Sequence, residues 1–326
     1  MAGLFGFFDY SKPGPGVPKD GPPKARIVVF FEIIQRKFWN LIKVNFMFNL
    51  FNIPALILGM LASMVIFPQF MPGLDMTDAS NVLGDLVSRF IILTIFMCIP
   101  VITVGPAQAG FTYILRNYSR EEHAFIWSDF AEHAKNNFKQ SLIVSGIDFL
   151  ITFVMLYALR IYFAINNGSL LFTFATTMMI LLLCIYLSMH LYIYPMMVTF
   201  KLTTKQLYKN ALYFGLGKLL PNLGIVLLSA LILLASFVII PEIGLILYVI
   251  ITVSFIGMIT NFYAYGKIKK YMMNDEDEEE EIAGESSGEE DFDELDGSDS
   301  SDGSDDRKSD TDKESEKADD DIKRYY

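Results

Sequence analysis

The chain has 326 residues, 52% of them hydrophobic, with a mean hydropathy of +0.38 and a formal net charge of −11. That composition argues against a soluble protein of this length, and nothing in it points to a nucleic-acid partner. The charge is divided: residues 275–326 hold 25 acidic and six basic side chains, leaving 20 basic against 12 acidic in the rest. The body is thus a basic segment suited to an anionic cytoplasmic leaflet, and the tail a separate acidic one. Two cysteines, Cys98 and Cys184, both within apolar stretches, exclude a disulfide framework.

In chain order, MAGLFGFFDYSKPGPG has no basic n-region and no small-residue cleavage site, so no secretory signal peptide is expected. Residues 1–24, rich in Gly and Pro, should form an irregular cytoplasmic arm. From 25 to about 40, Ile27, Phe30, Phe31, Ile34 and Phe38 share a helical face with Glu32, Arg36 and Lys37 mostly opposite. This predicts a helix lying in the membrane interface ahead of the first span, or else packed on the cytoplasmic side.

Six apolar stretches follow at 38–67, 89–115, 141–165, 170–199, 222–241 and 243–266. Each is long enough to cross a hydrocarbon core of about 30 Å as a helix, the form that satisfies its own backbone in lipid. Lys and Arg gather in the N-terminal arm, in the second-to-third and fourth-to-fifth connections, and after the last span. The connections at 68–88, 166–169 and 241–242 have none. The positive-inside rule then puts both termini in the cytoplasm. The expected fold is all-α: a polytopic bundle of six transmembrane helices with amphipathic cytoplasmic helices over residues 25–274. A bacterial cytoplasmic membrane is its expected location.

The segments FWNLIKVNF, FAEHAKNNFKQSL and LYKNALYFGLGKLLPN each combine aromatic residues, Asn and Lys, and each leads into a span. They read as an amphipathic helix feeding a transmembrane hairpin three times over, though interface chemistry alone produces a similar pattern. Residues 275–326 have too few large apolar side chains to offset chain entropy and should be disordered. This acidic tail reads as a solubilising spacer, or as a tether for a basic protein surface or for cations.

Three segments carry a resemblance. GLFGFFDYSKPGPGV, the block PVITVGPAQAGFTYILRNYSREEHAFIWSDF and FAEHAKNNFKQSLIV resemble the YesL family of bacterial integral membrane proteins, over roughly residues 1–270. The resemblance supplies no reaction and no catalytic residues. It implies association with carbohydrate uptake, through ABC-type importers of Gram-positive bacteria. The long polar excursion between the first two spans and the acidic tail depart from the family's compact pattern.

No nucleotide-binding loop GxxxxGK[ST] is present, so an ATP-dependent role needs a separate ATPase. His123 and His133 sit beside Glu121, Glu122 and Glu132, but without H-E-x-x-H spacing or a nearby Cys, so an ordinary helix surface is expected there. His190 is expected as an interhelical hydrogen-bonding group. No metal, cofactor or catalytic constellation is expected.

Polar residues inside spans are more informative. Asn45, Asn49 and Asn52 follow i, i+4, i+7 spacing on one helical face, which should meet either a neighbouring helix or a wet path. Asp148 is the one carboxylate placed inside a span, where a charge needs a partner or water. Arg160, toward the outer end of that span, should snorkel. Pro100 and Pro106 flank VITVG and, with Gly105, mark a candidate helix break. Gly105 with Ala109 and Gly59 with Ser63 form small-xxx-small pairs that permit close helix contact. The expected function is a non-enzymatic membrane component accompanying or regulating a carbohydrate importer. The alternative is a stand-alone permease or channel for a small solute.

Overall fold

Backbone polar groups in lipid must be satisfied within the protein, and the computed structural model of this chain meets that demand with helices. It describes residues 24–66, 79–165, 168–238 and 241–273, and no strand occurs among them. The Gly/Pro-rich arm to residue 23, most of the first interhelical connection and the acidic tail from residue 274 lie outside the described residues.

Helix α1 (Arg26–Ile66) is continuous for 41 residues, a length of about 60 Å at 1.5 Å per residue. The expected division near residue 40 between an interfacial helix and a first span is therefore absent. Nothing between Lys37 and Asn45 breaks a helix, and Pro54 sits inside α1 without ending it. The expected apolar face of the early turns also divides. Phe30 is buried and Ile34 half-buried, while Ile27, Phe31 and Phe38 are exposed; Ile33, beside that face, is buried.

The second expected span is two helices, α2 (Ala79–Cys98) and α3 (Gly105–Ser119). Because α2 begins well before residue 89, Asp148 is not the sole carboxylate inside a span. Asp85 lies in α2 as well, 2.7 Å from Arg89 one turn on. Every residue of α3 is buried. It packs against α1, α5, α6, α10 (Val253–Met272) and the short α4 (Ile126–Asn136), and so forms the centre of the bundle.

After α4 come α5 (Phe138–Ile165), α6 (Leu170–Thr199), α7 (Thr204–Gly217) and α8 (Leu219–Val238). The last hydrophobic passage runs through α9 (Pro241–Leu247) and a π-helical turn (Tyr248–Thr252) into α10. Among the described residues, six helices are long and apolar enough to cross a membrane: α1, α2, α5, α6, α8 and the α9–α10 passage. The chain is a multi-pass membrane protein. In the second and third of the recurrent segments a short helix, α4 or α7, precedes its span across one non-helical residue. In the first segment α1 runs straight through.

The basic end of the bundle is tied by Arg36 to Glu121 at 3.0 Å, by Lys37 over the Tyr118 ring and by Arg26 on the Phe262 carbonyl. At the opposite end two arginines reach the last turn of α1. Arg89 reaches the Ser63 carbonyl at 2.7 Å, and Arg160 reaches that of Val65 at 2.7 Å. Arg160 is thus bound to α1, where free snorkelling was expected.

Candidate functional site

A π-helical turn displaces the backbone ladder, because its bonds run to i+5. At Tyr248–Thr252 a side chain from α1 makes up the loss. Asn45 donates from Nδ2 to the carbonyls of Tyr248 (3.0 Å) and Val249 (2.7 Å), and its Oδ1 accepts from the Ser254 amide at 2.9 Å. Asn52 does the same for the break between α2 and α3. Its Oδ1 accepts from the Val104 amide at 2.7 Å, and its Nδ2 returns to the Phe48 carbonyl. Asn49 makes one long contact, Nδ2 to the Tyr248 carbonyl at 3.5 Å, and its buried Oδ1 has no partner.

A fourth asparagine, Asn222, was not singled out from the sequence, although it stands in the first turn of a span just after Pro221. Its Nδ2 donates to the carbonyls of Phe214 and Gly215 at the end of α7. Its Oδ1 accepts from the hydroxyls of Tyr192 (2.6 Å) and Tyr263 (2.8 Å). Asn45, Asn52 and Asn222 therefore each sit against a helix discontinuity.

The break itself covers residues 99–104. The amides of Val101 and Ile102 both turn back to the Phe96 carbonyl, and Pro100 can donate nothing. Pro106 lies in the first turn of α3, where a missing donor costs nothing. At Gly105 a Cβ would fall on the Ser141 carbonyl of α5, so α3 and α5 meet there backbone to backbone. Gly59 is less crowded, with the Leu93 side chain 3.0 Å from its ideal Cβ position.

Behind the break lies a buried polar cluster. Asp148, about 15 Å along α5 from Phe138, is wholly inaccessible. Its Oδ1 receives the Tyr208 hydroxyl at 2.5 Å and the Tyr186 hydroxyl at 3.2 Å, and lies 3.1 Å from His190 Nε2. His190 Nδ1 is 2.7 Å from the Tyr186 carbonyl. Asp148 Oδ2, Ser188 Oγ and the Tyr194 hydroxyl are buried without a well-formed hydrogen bond. Helices α5, α6 and α7 each supply part of this cluster. Sequence reading found Asp148 and expected His190 as an interhelical hydrogen-bonding group, but left Tyr186 and Tyr208 unassigned, because pairing across helices has no local spacing signal.

His133 and His123 lie apart from it. His133 stacks on Tyr113 with ring centroids 3.3 Å apart, and Arg116 lies over the Tyr113 ring. Burial first, and the Arg116 charge second, hold the His133 imidazole down to about 4. No group of three or more metal-ligating side chains occurs among the described residues. Both cysteines are free thiols. A pocket of ≈ 20 Å³ between α1, α2 and α5, bordered by Gly59, Ile102 and Thr152, has room for about one water. A groove of ≈ 330 Å³ flanks α5, α6 and α7, lined by Met155, Tyr186, Met189 and Leu212.

Such a site can hold and release a proton, and its hydroxyls can orient a carboxylate. The bundle carrying it is that of a helical multi-pass membrane protein. A family model described as a protein of unknown function, DUF624, matches residues 85–159. That stretch runs from Asp85 in α2 through the break and buried α3 to α5, and includes Asp148. No curated protein and no solved structure matches the chain.

Proposed function

We propose that this chain is a non-enzymatic membrane component that accompanies or regulates a solute importer, with both termini in the cytoplasm. The carbohydrate class of solute, the ABC type of importer and the Gram-positive setting come from its resemblance to the YesL family. The match to a family of unknown function over residues 85–159 is consistent with that resemblance. The observation that carries the reading is the filled centre. Helix α3 is buried on every side, and the carboxamides of Asn45 and Asn52 are committed to backbone groups of neighbouring segments. In this arrangement the asparagine face borders protein.

The amphipathic α4 and α7 offer partner surfaces at the basic end. On or beside α4, Trp127 and Phe125 are exposed at 68% and 57%, and aromatic side chains are favoured at interfaces. The acidic tail supplies a second means of attachment, to a basic protein surface.

A stand-alone permease is the second reading, and one observation favours it: the Asp148 cluster lies directly behind a helix break, as polar transport sites do. Two experiments on the full chain separate the readings. Affinity purification from the native membrane should retain importer subunits, and proteoliposomes holding this protein alone should move no sugar. Robust sugar flux from the chain alone, lost in Asn49→Leu with folding intact, would overturn the accessory role and promote the permease.

A further inference from the structure

Distance and burial count the protons at Asp148. The Tyr186 carbonyl can only accept, so His190 Nδ1, 2.7 Å from it, carries a hydrogen. The other ring nitrogen, Nε2, faces Asp148 Oδ1 at 3.1 Å. That contact falls short of a well-formed hydrogen bond, but a carboxylate beside a neutral imidazole would leave an uncompensated charge in a dry site, so the pair holds one further proton. It sits either on Nε2, as imidazolium against carboxylate, or on Asp148, as carboxylic acid against neutral imidazole. Both forms have zero net charge. A second proton leaves +1 and the loss of the proton leaves −1, each uncompensated where Asp148 and His190 are both fully buried.

The groups facing the pair come from two helices: Tyr186 and Tyr194 from α6, and Tyr208 from α7. The α2–α3 connection adds the hydroxyl of Thr103 near Tyr194, and α5 itself adds that of Thr152 near Tyr186, neither in a well-formed hydrogen bond. Neither threonine titrates, and no lysine or arginine pairs with Asp148 among the described residues.

We propose that Asp148 and His190 form a one-proton binding site within the membrane, and that Tyr208 transmits its occupancy to α7. On release, the Nε2–H or carboxyl O–H bond breaks, its electron pair stays on the nitrogen or oxygen, and the proton passes to water. Neutral imidazole and carboxylate remain, and repulsion between Nε2 and Oδ1, 3.1 Å apart, moves the two side chains away from each other. Tyr208, half-buried and bonded to the same Oδ1, is carried with that movement. The groove beside Tyr186, Met189 and Leu212 gives α7 room to shift. Helix α7 bears the exposed Lys205 and Lys209, so the site acts on the basic-end surface from the interior. This holds whether or not an importer is the partner.

Magnetic resonance on the full chain in lipid bilayers tests it. With ring 15N and carboxyl 13C labels, the His190 and Asp148 resonances should move together in one step as pH rises, because the proton belongs to the pair. His190→Gln should displace the carboxyl step by about tenfold or more in proton concentration, one pH unit being tenfold. A fluorophore at Tyr213→Cys, with both native cysteines replaced by alanine, should report α7 movement at the wild-type step. Tyr208→Phe should keep the resonance step and lose the fluorescence response. Two separate steps for His190 and Asp148, or none across the range in which the chain stays folded, would overturn the shared proton. A fluorescence response that survives Tyr208→Phe would overturn the link to α7. The wild-type spectra decide the proton count unaided, so a variant that fails to fold leaves that test standing.

Discussion

Asn45, Asn49 and Asn52 share one face of α1, yet their partners differ enough to rank them. Asn45 makes three contacts of 3.0 Å or less to the π-turn region, Asn52 satisfies one amide at the break, and Asn49 makes a single 3.5 Å contact. A contact that long contributes little, whereas a buried backbone group left unpaired costs about 1–3 kcal/mol. Thermal unfolding in detergent should therefore rank Asn45→Leu as most destabilising, then Asn52→Leu, with Asn49→Leu near neutral. An equal loss for all three would mean that burial, and not backbone repair, sets their worth. The i, i+4, i+7 spacing revealed that a face exists. It could not reveal the partners, because Asn52 lies 52 residues from the break it repairs at Val104 and Asn45 lies 203 residues from Tyr248 in the π-turn. His133 gives a second residue-scale prediction. Its imidazole sits below the usual 6.5 in the folded chain, so the unfolded chain binds the extra proton between about 6.5 and 4. The resulting stability is present above 6.5 and is lost as pH falls through that window. His133→Phe, which keeps the stack on Tyr113, should flatten the dependence relative to wild type.

Element boundaries were legible where apolar runs end in charge and turn residues, and illegible where they do not. The runs that became α5 and α6 end at the polar 166–169 connection, and they were placed to within a few residues. The start of α2 was placed ten residues late, because Asp85 and Arg89 look like connection residues until their pairing, and the bond from Arg89 to Ser63, is visible. In α1, the charges Arg36 and Lys37 looked like a boundary. The helix runs through them because its first turns bury Phe30 and Ile33 against protein. The break at Pro100 shows what a helix interruption requires inside a bundle: a side-chain acceptor at Val104 and a very close approach of α3 to α5. Gly105→Ala puts a methyl on the Ser141 carbonyl, and overpacking of this kind costs about 1–3 kcal/mol or more. Gly84→Ala and Gly146→Ala, whose added methyls meet nothing within 4 Å, should be neutral or better. Thermal transitions of the three variants in the same detergent check this, and a tolerant Gly105→Ala would show that α3 can move away from α5.

For the whole molecule, orientation depends on which basic residues are exposed to the surroundings. Two arginines, Arg89 and Arg160, lie toward the end opposite the main basic cluster and at first weaken the positive-inside reading. Both, however, are bound to the last carbonyls of α1, and Arg89 is also paired with Asp85. A cation held at a helix C-terminus is favoured by the dipole there and needs no anionic leaflet. The Lys residues near α7, at 201, 205 and 209, are exposed by contrast, as is Lys270 at the end of α10. They can respond to leaflet charge. A cysteine at exposed Ser169 should accordingly react with an impermeant thiol reagent on intact cells, and one at Lys201 only after lysis. The pattern should persist in Arg89→Gln and Arg160→Gln if those side chains serve α1 and not topology. Labelling at Lys201 without lysis would reverse the orientation. A reversal confined to the arginine variants would instead make helix capping part of what sets topology.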